Sequence, residues 1–260
     1  MAKEKIVVKL GGSLITDKTS QMPKIDKLQM SKIGSILNQE KYDLILVHGA
    51  GSYGHPIAKK YAIAQGSDGT TEQEEAVQET RKQVKELNQE LCKYLNEEGM
   101  DIVPISPSLN MKTKGPNEII DFPINMFDEV LNIGKTPITY GDVTDDERQG
   151  ICVLSGDLLM SELSKIYKPL YSIFVMDQAG VFDGDPCNPE SSVMPSINYD
   201  TVKILLNQNS SSPTIDVTGG LIRKVECALN IAKYSETWIT NLDSLNGFFD
   251  GNPKGSKVIV

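Results

Sequence analysis

Residues 48–56 of this 260-residue chain read HGAGSYGHP and follow the apolar run LILV at 44–47. Glycines therefore stand at 49, 51 and 54, directly after a run that is typical of a strand buried on both faces of a parallel sheet. Glycine-rich backbone between such a strand and a helix lets N–H groups approach a bound anion closely. The segment predicts an anion-binding turn within an α/β fold.

The same spacing, G-x-G-x-x-G, is also the fingerprint of dinucleotide-binding folds, which carry an acid about 20 residues further on at the end of another strand. Asp68 and Glu72 have roughly this separation, but they lie in the loop-like stretch GSDGT at 66–70 and just after it. A strand–helix unit also precedes the turn, whereas the fingerprint usually opens its fold. A dinucleotide-dependent oxidoreductase is therefore the less favoured alternative.

Three more glycine-containing turns carry a charged side chain. KLGGS at 9–13 closes a strand-like run, SGD at 155–157 opens a helix, and GGLIRK at 219–224 begins another helix. Taken alone, each of these turns can be explained without a ligand: the first as a strand-to-loop turn, the second as a helix cap, and the third as a lysine on a solvated helix face. Together they indicate a site for several phosphate groups, because amides and lysines would surround the anions. No G-x-x-x-x-G-K-[ST] sequence occurs, which excludes a P-loop.

Composition narrows the class of partner. Acidic residues outnumber basic ones by 35 to 26, giving a net charge of −9, which argues against nucleic acid or an anionic membrane as the main partner. The chain has only two histidines and its four cysteines form no C-x-x-C, so a zinc site is not expected. No apolar run approaches the ~18 residues of a membrane span, and no signal-peptide core is present, so we expect a cytoplasmic protein.

Strand-like and helical segments alternate along the whole chain, which favours an α/β fold. We predict one domain over residues 1–260, a three-layer αβα sandwich with a central, mostly parallel sheet, in two lobes that meet near residue 165. The predicted strands cover 5–10, 43–48, 101–105, 136–140, 151–154, 171–176, 237–240 and 257–260, and the predicted helices cover 24–38, 56–65, 72–95, 157–167, 199–207 and 220–234.

Taken together, these residues resemble the amino acid kinase superfamily and, within it, the branch of the isopentenyl phosphate kinases. The resemblance runs nearly end to end, through the four turns, Lys18, GDV at 141–143, GVF at 180–182 and the segment from Asp216 to Lys224. His55 decides the branch. Superfamily members that phosphorylate carboxylates share the glycines but generally lack this histidine, whereas phosphate-accepting members, like the fosfomycin kinases, carry it.

The resemblance implies transfer of the γ-phosphoryl group of ATP to isopentenyl phosphate, giving isopentenyl diphosphate for isoprenoid biosynthesis. It implies a homodimer, an acceptor site in the lobe of residues 1–165 and an ATP site in the lobe of residues 166–260. Mg²⁺ would bridge the ATP oxygens, with no protein ligand to the metal. A phosphonate kinase of the fosfomycin type and a non-catalytic nucleotide sensor on the same fold are the open alternatives.

The resemblance also assigns roles to residues of this sequence. The catalytic group would comprise Lys9, Lys18 as the transition-state stabiliser, His55, Asp157 as the residue that orients the lysines, and Lys224. The acceptor would contact His55 and the backbone at Ala50 and Gly156. The nucleotide would contact Lys9, Gly11, Gly12, Ser13, Gly51, Asp177, Gly220 and Lys224.

One stretch departs from the family pattern. The family commonly reads T-D-V-D-G-V-Y where this chain has MDQAGVF at 176–182, so the second acid is missing and the aromatic residue lacks its hydroxyl. This difference bears on the details of nucleotide contact. The apolar stripe of the helix at 72–95 is a candidate to line the pocket for the hydrocarbon tail of the acceptor. The alternative is that this stripe only packs in the hydrophobic core.

Overall fold

The structure is a computed structural model that describes residues 3–17, 23–211 and 219–260. In chain order its strands are β1 (Lys5–Leu10), β2 (Asp43–His48), β3 (Ile102–Pro104), β4 (Lys112–Thr113), β5 (Ile119–Asp121), β6 (Thr136–Tyr140), β7 (Asp142–Asp146), β8 (Gly150–Leu154), β9 (Tyr171–Met176), β10 (Ser196–Ile197), β11 (Glu236–Asn241) and β12 (Ser256–Val258).

The helices are α1 (Gly12–Ile15), α2 (Lys27–Leu37), α3 (Gly51–Lys60), α4 (Thr71–Glu97), α5 (Pro107–Asn110), α6 (Ile124–Asn132), α7 (Gly156–Tyr167), α8 (Tyr199–Ser211), α9 (Gly219–Ile231) and α10 (Leu242–Asp250). A 3₁₀ turn, Ile63–Gln65, follows α3. Among the described residues, no helix combines the length and the apolar character that a membrane crossing needs.

Eight strands form the central sheet in the order β10-β12-β11-β9-β1-β2-β6-β3. Neighbouring strands pair in parallel except β11 with β12. Strand β1 therefore lies in the middle, with β2 on one side and β9 on the other. Because β1, β2, β6 and β9 are parallel neighbours, their carboxyl ends meet at one edge of the sheet, which is where open α/β sheets bind ligands.

Both faces of the central sheet are buried, and successive residues of a strand face opposite sides. Val7 belongs to one apolar cluster and Ile6 and Val8 belong to the other. The cluster with Val7 packs against α6, α7, α8 and α9, and the cluster with Ile6 packs against α2, α4 and α10. This arrangement of helices on both sides of the sheet confirms the predicted α/β fold class.

A second, four-stranded sheet in the order β5-β4-β7-β8 lies beside the main one. Asp146 at the end of β7 holds it together: its carboxylate accepts hydrogen bonds from Thr113 Oγ1 and from the backbone N–H groups of Gly115, Arg148 and Gln149. Burial opposes the charge, but these hydrogen bonds outweigh it and lower the pKa of Asp146. The hairpin of β7 and β8 is thereby fixed against β4.

The helix predicted over 56–65 is wrong at its start, since α3 begins at Gly51 inside the glycine segment and carries Pro56 in its interior. Gly51 has a left-handed φ of +52°, which a residue with a side chain rarely adopts. The helix can therefore start immediately after the turn. Helices α6 and α10 are absent from the prediction, although the apolar residues of α10 recur at helical spacing (Leu242, Leu245, Phe248 and Phe249).

Candidate active site

The glycine turns after β1, β2 and β6 are joined by backbone hydrogen bonds at the carboxyl edge of the main sheet. Gly49 N–H donates to Leu10 O at 3.0 Å, Gly141 N–H donates to His48 O at 3.0 Å, and Gly11 N–H donates to Val175 O at 2.9 Å. These bonds continue the parallel ladder beyond the strands. The structure therefore brings the predicted turns at 9–13 and 48–56 together, although they are far apart in the chain.

Gly12 and Gly51 make a contact in which neither turn leaves room for a side chain. A Cβ atom on Gly12 would lie 2.3 Å from Gly51 N and 2.6 Å from Gly51 Cα. On Gly51 it would lie 2.6 Å from Thr16 Oγ1, whose hydroxyl donates to Gly12 O at 2.8 Å. The two turns thus touch backbone to backbone, and Thr16 fastens them. Gly12 and Ser13 are the first two residues of the short helix α1.

Lys9 lies on the central strand and is 7% exposed, so its charge is almost fully withdrawn from water. Its Nζ is 2.5 Å from Asp157 Oδ1 and 5.8 Å from the centroid of the Phe174 ring. Asp157 stands in the first turn of α7, and the N-cap Ser155 accepts a hydrogen bond from Leu158 N–H through its hydroxyl. A buried cation is thereby held by one carboxylate at the edge where the turns meet. The orienting role of Asp157 stays a prediction.

Gly156 is a close-packed position beside this ion pair. A Cβ atom there would lie 2.9 Å from Lys9 Cε, so a side chain would displace the lysine. Gly141 faces the same space: a Cβ atom on Gly141 would lie 3.4 Å from Gly156 N and 3.9 Å from Ala50 N. The carbonyl oxygen of Leu154 would lie 3.4 Å from the same Cβ position, so the space beside Gly141 is bordered by two amide nitrogens and one carbonyl oxygen. Of these three groups, the two amides are the ones that can face an anion.

His55 projects from α3 with more than a third of its surface exposed. The protein atoms around the imidazole and, after them, the positive charge of Lys9 lower the pKa of His55 below its usual 6.5. Lys9 is therefore close enough to act electrostatically on His55. The imidazole is mainly neutral at pH 7, and it can accept a proton when an anion binds beside it.

Lys224 and Asp177 lie at the end of β9. Lys224, in α9, places its Nζ 3.4 Å from Sδ of Met176, the last residue of β9, and Asp177 follows directly. Gly220 is the second residue of α9. Sequence reasoning missed Cys227 of this helix, whose thiol donates to Asp157 O with a separation of 3.1 Å between Sγ and O, and which links α9 to the Lys9–Asp157 pair.

Two of the predicted site residues need comment. Lys18 lies outside the described residues, as does Asp216. The backbone N–H of Gly11 donates to Val175 O at 2.9 Å, and the nucleotide contact expected of Gly11 stays a prediction. The remaining predicted residues lie along the edge that runs from α3 past β1 to α9, and their roles stay predictions.

His48 and Asn88 were also missed. The buried His48 imidazole hydrogen-bonds the Asn88 side chain under the glycine turn. A histidine that ends an apolar strand, in a chain with two histidines, was the available signal. Over the described ranges, no group of three or more His, Cys, Asp or Glu side chains is arranged to hold a metal ion.

Helix α4 passes behind α3 and borders a cavity of about 750 Å³ whose lining includes Val77, Arg81 and Ile151. Val84 and Leu87, further along the same apolar stripe, are fully buried in packing contacts. A Cβ atom on Gly54 of α3 would lie 3.0 Å from Val84 Cγ1, which explains the glycine at this position. Val77 of the predicted wall therefore lines this cavity, whereas Val84 and Leu87 belong to the core.

Comparison with known proteins identifies the family. A model described as the amino acid kinase family matches residues 4–241. The isopentenyl phosphate kinase of Methanothermobacter thermautotrophicus is 34% identical over 241 residues, covering 88% of this chain and 87% of that protein. The isopentenyl phosphate kinase of Methanocaldococcus jannaschii is 29% identical over 230 residues, covering 85% of each.

The fold is shared with solved structures as well. An X-ray structure of isopentenyl phosphate kinase matches with a TM-score of 0.83 at 28% identity, covering 98% of this chain and 100% of that one. Because the family match spans most of the sequence, the chain belongs to the amino acid kinase family.

Proposed function

We propose that this member of the amino acid kinase family transfers the γ-phosphoryl group of ATP to isopentenyl phosphate, giving isopentenyl diphosphate for isoprenoid biosynthesis. The observation that carries the proposal is the electrostatic effect of the buried Lys9 on His55, which, after burial, lowers the pKa of His55. Relatives named isopentenyl phosphate kinase, similar over most of their length, support the same acceptor.

In the proposed reaction the protein mainly aligns the two substrates and neutralises the charges of their phosphate groups, and it need not form covalent bonds to them. The acceptor oxygen belongs to a phosphate whose second pKa is about 6, so it is largely ionised at pH 7 and needs no general base. Two anions must instead be brought end to end. Backbone amides and lysines at the carboxyl edge of the sheet can offset the repulsion between the two anions, because these groups are already oriented before the substrates arrive.

On the acceptor side, His55 would donate a hydrogen bond to the phosphate, and the N–H groups of Ala50 and Gly156 would donate two more. Lys9 would neutralise the transferring group, held in place by Asp157 at 2.5 Å. The charge of a bound phosphate would raise the depressed pKa of His55, since an anion stabilises the imidazolium. Binding and protonation of His55 would thereby be coupled.

On the nucleotide side, Lys224 would contact the ATP phosphates, with Asp177 and Gly220 near the nucleotide and Gly12, Ser13 and Gly51 offering amides. Mg²⁺ would arrive with ATP and take its ligands from the phosphate oxygens. Lys18 would stabilise the charge that develops during transfer.

The hydrocarbon tail and the dimer are further parts of this proposal. We place the tail toward the 750 Å³ cavity beside α4, where Val77 and Ile151 offer apolar surface. A homodimer follows from the family resemblance alone, and sedimentation equilibrium of the full chain tests it.

An acceptor screen tests the assignment. Purified protein with ATP and Mg²⁺ is offered isopentenyl phosphate, fosfomycin or no acceptor, and ADP release is followed, with His55→Ala as the control for contaminating kinases. We expect turnover with isopentenyl phosphate. If fosfomycin alone is turned over, the protein is a phosphonate kinase and isopentenyl phosphate is not its acceptor. ATP binding without ADP release for any acceptor would indicate a nucleotide sensor. Tight NAD binding without ATP binding would indicate an oxidoreductase.

A further inference from the structure

His48 ends β2 and has no exposed surface, and it lies directly beneath the turn that carries Ala50. Its ring stacks on Tyr140 with centroids 5.2 Å apart and planes inclined by 18°. Nδ1 is 3.0 Å from Gly49 O, and Nε2 is 3.0 Å from Asn88 Nδ2. Both ring nitrogens are therefore used, although neither faces the substrates.

The partners of His48 decide which nitrogen carries the hydrogen. The amide nitrogen of Asn88 can only donate, and Asn88 Oδ1 is occupied by the Cys92 thiol at 3.6 Å. Nε2 must then accept, so the hydrogen of the neutral ring is on Nδ1 and is donated to Gly49 O. Burial supports this neutral form, because it lowers the pKa of His48 to about 4.

The hydrogen bond to Gly49 O sets the rotation of the next peptide group. The chain has no cis peptide bond among its described residues, so the C=O of Gly49 and the N–H of Ala50 point in opposite directions. With the carbonyl turned down onto His48, the N–H turns up, away from the ring. Ala50 N lies 3.9 Å and Gly156 N 3.4 Å from the position that a Cβ atom on Gly141 would take, so the two amide nitrogens are close neighbours.

We propose that His48 is a positioning residue for the acceptor: its Nδ1–H holds the Gly49–Ala50 peptide so that the Ala50 N–H faces the acceptor phosphate. This inference rests on the proposed function, and it assigns a task to a group that never touches the substrate. Asn88 supports the task by fixing the tautomer. Without the Nδ1–H, the peptide could rotate and one phosphate donor would be lost.

Two substitutions of His48 separate its two hydrogen bonds. The amide of His48→Asn can reach Gly49 O from the position of Nδ1, whereas the amide of His48→Gln can reach Asn88 from the position of Nε2 and leaves Gly49 O without its donor. We expect His48→Gln to lower kcat/KM for isopentenyl phosphate roughly 10- to 100-fold, with the KM for ATP changed less than about twofold. We expect His48→Asn to recover most of this loss.

Wild-type turnover of isopentenyl phosphate is measured first, because its failure overturns the proposed function and not the positioning role. Given that turnover, equal losses in the two variants would overturn the inference, since they would indicate packing alone. An equal rise of the KM for ATP in His48→Gln, or an unchanged rate, would also overturn it.

A spectroscopic measurement keeps the inference testable if the His48 variants do not fold. The chain contains two histidines, so the long-range ¹H–¹⁵N spectrum of the imidazoles shows two rings, and His55→Ala assigns them. We expect the His48 ring to be the neutral Nδ1–H tautomer, unchanged between pH 8 and 6. An Nε2–H tautomer, or a charged ring at pH 7, would overturn the inference whatever the enzyme does.

Discussion

The proposed acceptor side and the proposed nucleotide side of the site differ in the groups that they contribute. On the proposed acceptor side, Ala50 and Gly156 contribute backbone amides, and a Cβ atom on Gly156 would lie 2.9 Å from Lys9 Cε. On the proposed nucleotide side, the backbone amides of Gly12, Ser13 and Gly51 are accompanied by a charged side chain, that of Lys224 on α9. We therefore expect the proposed acceptor side to be most sensitive to added side-chain atoms and the proposed nucleotide side to be most sensitive to the loss of a charge. Four measurements test these expectations.

The largest effect is expected for Lys18→Met, because a lysine that stabilises the transferring group acts on both sides at once. We expect kcat to fall roughly 10²- to 10³-fold with smaller changes in both KM values, since its contact matters mainly in the transition state. Steady-state kinetics with each substrate varied provides the measurement. Lys24→Met, which removes an exposed lysine a few residues further along the chain, is the control. A pure KM effect would reassign Lys18 to substrate binding.

The next effect tests the exclusion of side chains directly. In Gly12→Ala the new Cβ would meet Gly51 N at 2.3 Å, whereas in Gly11→Ala the nearest atom is Val175 O at 3.1 Å. We expect Gly12→Ala to lower kcat/KM for both substrates roughly 100-fold and to lower the melting temperature, because the turn with Gly12 must separate from the turn that carries Ala50 and Gly51. Gly11→Ala should lose less than about fivefold. Equal losses in the two variants would show that the contact between the turns does not matter.

His55→Ala is expected to have a somewhat smaller effect, confined to the acceptor side. Removing a charge-assisted hydrogen bond should lower kcat/KM for isopentenyl phosphate roughly 10- to 150-fold and leave ATP affinity almost unchanged. Kinetics and equilibrium titration with ATP separate the two quantities, and Lys59→Ala on the same helix is the control. A loss of ATP affinity would mean that the two sides are not distinct at His55.

The smallest effect concerns stability and pH. The pKa of the His48 ring is about 4 in the folded protein, and the ordinary value of 6.5 applies to the unfolded chain. Between these two pH values the unfolded chain therefore binds more protons than the folded protein. The free energy of unfolding should therefore fall as the pH decreases from 6.5 toward 4, by up to about 1.4 kcal/mol per pH unit from this group. Urea titrations of the wild type and His48→Gln measure it. A difference between the two proteins that does not change with pH would contradict the prediction.

Much of the fold was predictable because buried parallel strands have a local sequence pattern. The runs that form β1, β2 and β9 are short, apolar and rich in branched residues, and each ends at glycine or a polar residue. By contrast, β7 reads DVTDD and forms because it pairs with β8 and because Asp146 is held by four hydrogen bonds. Such a strand depends on residues elsewhere in the chain, so a local pattern does not predict it.

The sequence predicts which residue types form the site, but it does not predict which of these residues contact each other in space. Glycine turns and lysines at strand ends indicate phosphate, but the Lys9–Asp157 pair joins residues 148 positions apart. The contact of Gly12 with Gly51 is equally nonlocal. The hydrogen bond from Gly11 N–H to Val175 O is nonlocal as well, because the sequence alone does not place β9 beside β1.

The position of β1 between β2 and β9 has a consequence for motion. The strand that carries Lys9 is hydrogen-bonded on both sides and buried on both faces, so its amides should be among the last to exchange with deuterium. The backbone that carries the Lys9 ammonium group therefore does not move with an incoming or departing substrate. Any opening that admits one ligand and releases another must be made by the surrounding helices and loops, while the strand remains the stationary reference for both.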